Sequence, residues 1–183
     1  NGKIFGFPDD GDVFVMYYRT DVLGDPALQA AFKTKLGYDL PVPPKTWKEL
    51  HAVALQLKVR GQECVYTSGW PSWMHIENFS AWHNVPIGTK QNGMGGLDAQ
   101  FTINSPLHVR HIAMLGDMAK KGLFTYAGRT NQGDAKFSSG ECAMFSGSAG
   151  AQAGIKKAAK FDWSINFIPY HDDVAGAPQN SII

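Results

Sequence analysis

Three tryptophans, Trp70, Trp73 and Trp82, stand close together around Glu77 and Asn78. Flat aromatic faces cover the C–H side of a sugar or polyol while neighbouring amide and carboxyl groups satisfy its hydroxyls, so this set reads as recognition chemistry rather than reaction chemistry. The alternative is plain core, since tryptophan is highly buried on average. Trp70 and Trp73 fall in a Gly-Trp-Pro-Ser-Trp turn directly after the strand-like run 64–67, Cys-Val-Tyr-Thr. Open α/β sheets bind ligands at the carboxyl ends of their strands, which favours these two as ligand-facing. Trp82, farther into the following helix, is the better core candidate.

Other constellations are weaker. Ser146, Gly147, Ser148, Ala149 and Gly150 lie between a strand and a helix, where small residues expose backbone N–H groups at the positive end of a helix dipole. The turn has neither the Gly-Lys-Ser/Thr ending of a P-loop nor a dinucleotide fingerprint nor a Gly-x-Ser-x-Gly elbow, so it suits a hydroxyl-rich or anionic ligand, or serves as an ordinary N-cap. Asp9, Asp10 and Asp12 surround Gly11 ahead of the first strand. Carboxylates can accept from pairs of sugar hydroxyls, or the cluster is a solvated turn; a calcium loop would need a distal Glu that is missing. Glycoside hydrolysis needs two carboxylates across a cleft, and Asp12 with Glu77 can be nominated, although nothing in the sequence fixes their separation. His108 and His111 stand one helical turn apart without a nearby third ligand, which reads as a surface or packed pair rather than a metal site. No cofactor and no metal are expected.

The elements that must position these residues follow from periodicity. The run 13–18 is apolar on both faces, as a strand buried in a layered α/β sheet is. Asp25-Pro26 opens a helix that Gly37 stops, and Thr46-Trp47-Lys48-Glu49 is a capping box opening another, with Trp47, Leu50, Ala54 and Leu57 on its inner face. Helices are further expected over about 74–83, from Ser105-Pro106 to Lys120-Lys121-Gly122, over 133–138 and over 148–160. Leu107, Ile112, Leu115 and Met118 mark the core stripe of the second of these. Strands are expected over 64–67, 142–146 and 163–168, with a Gly- and Asn-rich surface loop over 84–104 that holds a short strand near 100–103. Strands separated by helices give an α/β sheet.

Bulk properties restrict the partners. Seventeen basic and sixteen acidic residues give a formal charge of +1 with no Lys/Arg run, which argues against nucleic acid and anionic membrane surfaces. At 183 residues the chain can bury a sizeable core without staples. Cys64 and Cys142 are read first as buried apolar thiols, with pairing in an oxidising compartment as the alternative. The start, Asn1-Gly2-Lys3, and the end, Asn180-Ser181-Ile182-Ile183, read as cut ends.

The segment Glu63-Cys-Val-Tyr-Thr-Ser-Gly-Trp70-x-x-Trp73, continued by Glu77-Asn-Phe-Ser-Ala-Trp82, resembles the glycerol-3-phosphate receptors of ABC uptake systems, within the carbohydrate-binding type II periplasmic solute-binding family. Further likeness runs through residues 111–115, 120–122, 128–129, 140–144 and 177–183. The resemblance implies two α/β lobes that close on a ligand, of which this chain holds mainly the second. Residues 1–12 would end a first-lobe segment, 13–20 would form the hinge crossover, 21–170 the second lobe, and 171–183 the return. It also implies Trp70, Trp73, Ser146, Gly147 and Ser148 as cleft residues, ABC permease subunits as partners, and a periplasmic or lipid-anchored location whose only membrane contact is through that complex. Asp12 departs from the pattern, because the glycerol-3-phosphate receptors have serine there and a carboxylate repels a phosphate. The expected function is therefore capture of a glycerophosphate, glycerophosphodiester, sugar or polyol without catalysis, with a glycoside-processing enzyme using Asp12 and Glu77 as the alternative.

Overall fold

The run 13–18 becomes β1, Phe14–Arg19, and its side chains alternate between two buried faces. Met16 and Tyr18 enter one core and Tyr17 the other. The computed structural model describes residues 11–178; Asp9, Asp10 and the segment 179–183 lie outside that range. After β1 come α1 (Thr20–Leu23), α2 (Pro26–Leu36), α3 (Trp47–Val59) and β2 (Cys64–Ser68). A π-helical turn, Trp73–Asn78, runs straight into α4 (Phe79–Trp82), and a single turn, α5 (Thr89–Asn92), precedes α6 (Pro106–Lys120). Then follow β3 (Phe124–Thr125), α7 (Gln132–Ser138), β4 (Cys142–Ser148), α8 (Gln152–Ala158) and β5 (Trp163–Phe167).

The sheet has the order β3-β2-β4-β1-β5. Strands β2, β3 and β4 are parallel to one another, and β1 runs antiparallel to both β4 and β5. The reversal of β1 sets the site, because its first residue, Phe14, pairs with Ser148, the last residue of β4. Likewise Ser68, the last residue of β2, pairs with Ser146. Loops from three strands therefore converge on one edge.

Local signals account for most of the helices. Asp25 accepts from the Leu28 N–H at 2.6 Å, and Gly37 closes α2 in the left-handed region at φ 79°. At α3 the Glu49 N–H donates to the Thr46 hydroxyl at 3.1 Å, and the Thr46 N–H donates back to the Glu49 carboxylate at 3.1 Å. The expected helix over 148–160 is instead a 3-10 turn, Ala149–Ala151, followed by α8. In the 84–104 loop the expected strand shrinks to an isolated bridge between Gly88 and Phe101.

The inner stripe of α6 differs from expectation. His108, His111, Leu115 and Met118 are buried, while Ile112 is exposed and Leu107 half-buried. The spacing 108, 111, 115, 118 is itself a helical stripe, so the two histidines replace the aliphatic residues as its first half. They join His75, His83 and His171. His75 Nδ1 lies 3.2 Å from His111 Nε2, and His111 Nδ1 lies 3.3 Å from His171 Nε2. The Phe79 ring stacks on His111 at 4.0 Å between centroids. Burial holds every one of these five imidazoles below its ordinary pKa, with His75 at about 3 and His171 at about 4.

The first reading of the cysteines is corrected. Cys64 and Cys142 pair in register as the opening residues of the parallel strands β2 and β4, and they form a disulfide. Adjacent parallel strands bring the Cα atoms to 4.5 Å, within bonding reach. Among the described residues no helix is long and apolar enough to cross a membrane, and no group of three or more His, Cys, Asp or Glu side chains could hold a metal ion.

Candidate functional site

A cleft of about 330 Å³ opens where the ends of β2 and β4 meet the start of β1. Trp70 and Trp73 form one wall. Their ring centroids are 5.7 Å apart with the planes tilted by 40°, and the residues are 36% and 41% exposed, whereas Trp82 is packed into the core at 7%. Trp70 occupies the left-handed region at φ 45°, a costly conformation for a bulky residue. Two hydrogen bonds hold it there: its N–H donates to the Thr130 carbonyl at 3.1 Å, and its indole N–H donates to the Asn131 side-chain carbonyl. The structure around the turn thus fixes the ring at the cleft.

Asp12, Phe14, Ser148, Gly150 and Ala151 complete the lining, together with Asn131, which bonds the Trp70 indole, and Asp134, which lies beside Gly69. The antiparallel pairing of β1 with β4 brings Asp12 beside Ser148. Asp12 accepts from the Val13 N–H at 2.8 Å, and the Ser148 hydroxyl accepts from the Gly150 N–H at 2.9 Å. Below them the Tyr17 hydroxyl donates to the Ser148 carbonyl at 2.8 Å. Burial, then the carboxylates of Asp134 and Asp12, push the Tyr17 pKa upward, so the phenol stays protonated and keeps that bond. Burial likewise raises the Asp134 carboxyl above its usual range. None of the described residues lining the cleft is cationic.

Of the residues expected from sequence, Trp70, Trp73, Asp12 and Ser148 come together. Ser146 and Gly147 do not line the cleft. Both are buried inside β4, Ser146 facing the Tyr66 hydroxyl in the core. Gly147 leaves room for the Phe145 ring, which a Cβ there would meet at 2.2 Å. Glu77 is exposed on the π-helical turn and is absent from the cleft lining, so it forms no pair with Asp12 across this cleft. Asn131 and Asp134 were not anticipated. An acid in the first turn of a short helix reads as ordinary dipole complementation, and no spacing distinguishes this one.

A second hollow of about 480 Å³ lies at the β5 edge between Lys45, Trp82, Phe167 and Tyr170. It is roomier and lies at the carboxyl end of the edge strand β5, but among the described residues no carboxylate and only one tryptophan, the core-packed Trp82, line it. The convergence of acceptors and half-exposed indoles favours the first cleft.

The profile of the bacterial extracellular solute-binding protein family matches residues 1–182. The chain belongs to that family. It is also 44% identical over 182 residues to the sn-glycerol-3-phosphate-binding periplasmic protein UgpB of Yersinia pestis, covering all of this chain and 39% of that protein. Identity to the proteins of the same name from Salmonella typhimurium and Pectobacterium atrosepticum is 43% over 183 residues, covering all of this chain and 40% and 39% of theirs. This solute-binding chain thus spans about two fifths of the length of the relatives it matches. The family consists of extracytoplasmic binding proteins rather than enzymes, and its type II binding fold agrees with the mixed sheet and flanking helices described above.

Proposed function

We propose that this solute-binding chain forms the second lobe of an ABC-importer receptor. It takes the polyol portion of a glycerophosphate, glycerophosphodiester or related sugar against Trp70 and Trp73. The observation that carries this reading is the half-exposed indole pair held open over a cleft of acceptor groups at the strand ends. The rings take the C–H faces, the Ser148 hydroxyl supplies a donor, and Asp12 accepts. Residues 13–20 then serve as the hinge crossover. A ligand bridging both lobes would favour the closed state by its differential affinity, and permease subunits would read that state at the membrane. The receptor works in the periplasm, lipid-anchored or free.

The likeness to sn-glycerol-3-phosphate-binding proteins supports that ligand as the first to test, with glycerophosphodiesters and simple sugars beside it. A thermal-shift screen of the full-length receptor against these three classes tests the reading. A ligand that binds only the folded form must raise the melting temperature, and no shift with any class would refute it.

A further inference from the structure

We propose that Asp134 is a specificity residue of this cleft, accepting a hydrogen bond from the non-anionic end of the ligand and turning the phosphate toward the rest of the receptor. The inference rests on the functional reading above and deepens it. Asp134 reaches the cleft because Gly133 lets α7 touch the strand end: a Cβ at Gly133 would stand 2.8 Å from the Ser68 carbonyl oxygen and 3.0 Å from the Gly69 nitrogen. The same contact puts a carboxylate oxygen 3.1 Å from where a Cβ on Gly69, the residue before Trp70, would lie.

Among the described residues no lysine or arginine forms an ion pair with Asp134 or with Asp12. The Tyr17 hydroxyl between them is committed to the Ser148 carbonyl and neutralises neither. Two uncompensated carboxylates in a partly desolvated hollow repel a phosphate, whereas a hydroxyl or ammonium group finds an acceptor there. The indoles suit either source, since they cover aliphatic C–H groups and attract an alkylammonium through their π faces. The half-buried position of Asp134 and the upward push of burial on its carboxyl pKa agree with a group short of favourable partners.

Titration calorimetry on the full-length receptor tests this with glycerol-3-phosphate, glycerophosphocholine and maltose as probes. Asp134→Asn is compared with the natural protein, and Asp134→Ser serves as a second variant in case the first folds poorly. The expected result is affinity weakened about ten-fold or more for every probe that binds. Equal losses for glycerol-3-phosphate and maltose identify a hydroxyl as the donor, and a larger loss for glycerophosphocholine identifies its ammonium. Tighter binding of glycerol-3-phosphate by the variants, or unchanged affinity for all probes, overturns the inference. If Trp70→Ala weakens binding while the Asp134 variants do not, only the role of Asp134 falls. If none of these variants changes any affinity, or the natural receptor binds no probe, the cleft itself is wrongly assigned.

Discussion

Ser146 and Ser148 lie two positions apart on one strand, yet only the second reaches the cleft. β2 ends opposite Ser146, so that residue is still covered by its neighbour strand and by the core, while Ser148 has passed the end of the covered region. The two residue types cannot be told apart in sequence; the termination of a neighbouring strand decides between them. In the full-length receptor, Trp70→Ala should weaken ligand binding by about 1–3 kcal/mol, and Ser146→Ala should leave affinity unchanged, both read by calorimetry. A loss of affinity with Ser146→Ala would return that serine to the site.

At the scale of elements, the helix starts and stops were readable because each is governed by a local hydrogen bond: Asp25 and Gly37 around α2, Thr46 and Glu49 at α3, Ser105 and Pro106 at α6. Misreadings arose where tertiary contact overrides local preference. The spacing of α6 predicts a stripe of Leu107, Ile112, Leu115 and Met118; Leu115 and Met118 are buried as expected, but His108 and His111 take the first half because Ser80, Ser105, His75 and Phe79 offer them partners. The two-residue strand β3 carries no periodic signal and exists through its pairing with Tyr66 and Thr67. Gly133 controls how closely α7 approaches the end of β2. Gly133→Ala forces a Cβ against backbone rather than a yielding side chain, so it should destabilise the fold by about 1–3 kcal/mol in urea titrations and weaken ligand binding as Asn131 and Asp134 move away from Trp70. An unfolding midpoint equal to that of the natural protein would contradict this packing.

For the whole molecule, two features set stability. The disulfide closes a long loop between strands that already pair, with a sequence separation of 78. Replacing both cysteines with alanine should lower stability by about 4 kcal/mol on the chain-entropy argument, seen as a lower urea midpoint; an unchanged midpoint would show that the unfolded chain gains little freedom. The second feature is the buried histidine cluster. Its imidazoles titrate near 6.5 when unfolded and lower when folded, at about 3 for His75 and about 4 for His171. The unfolded chain therefore binds more protons between those values, so stability is full above about pH 6.5 and declines as pH falls toward 3–4. Each such histidine contributes a slope of about 1.4 kcal/mol per pH unit inside its window. Thermal melts from pH 7 to pH 4 should show a steep fall, and His75→Gln should flatten it. A melting temperature independent of pH across that range would mean that water reaches the cluster.

The sequence by itself determined the α/β class, the capped helices, the buried central strand and the indole pair, because each depends on residues a few positions apart acting through local geometry. It also carried the family likeness, since that is written in ordered residues. Only the tertiary structure decided that β1 runs against its neighbours, that Cys64 meets Cys142, that Asp134 joins the cleft, and that Glu77, Ser146 and Gly147 do not. The physical reason is that sheet register and strand direction bring together groups separated by many tens of residues, and no local preference encodes which distant ends will meet.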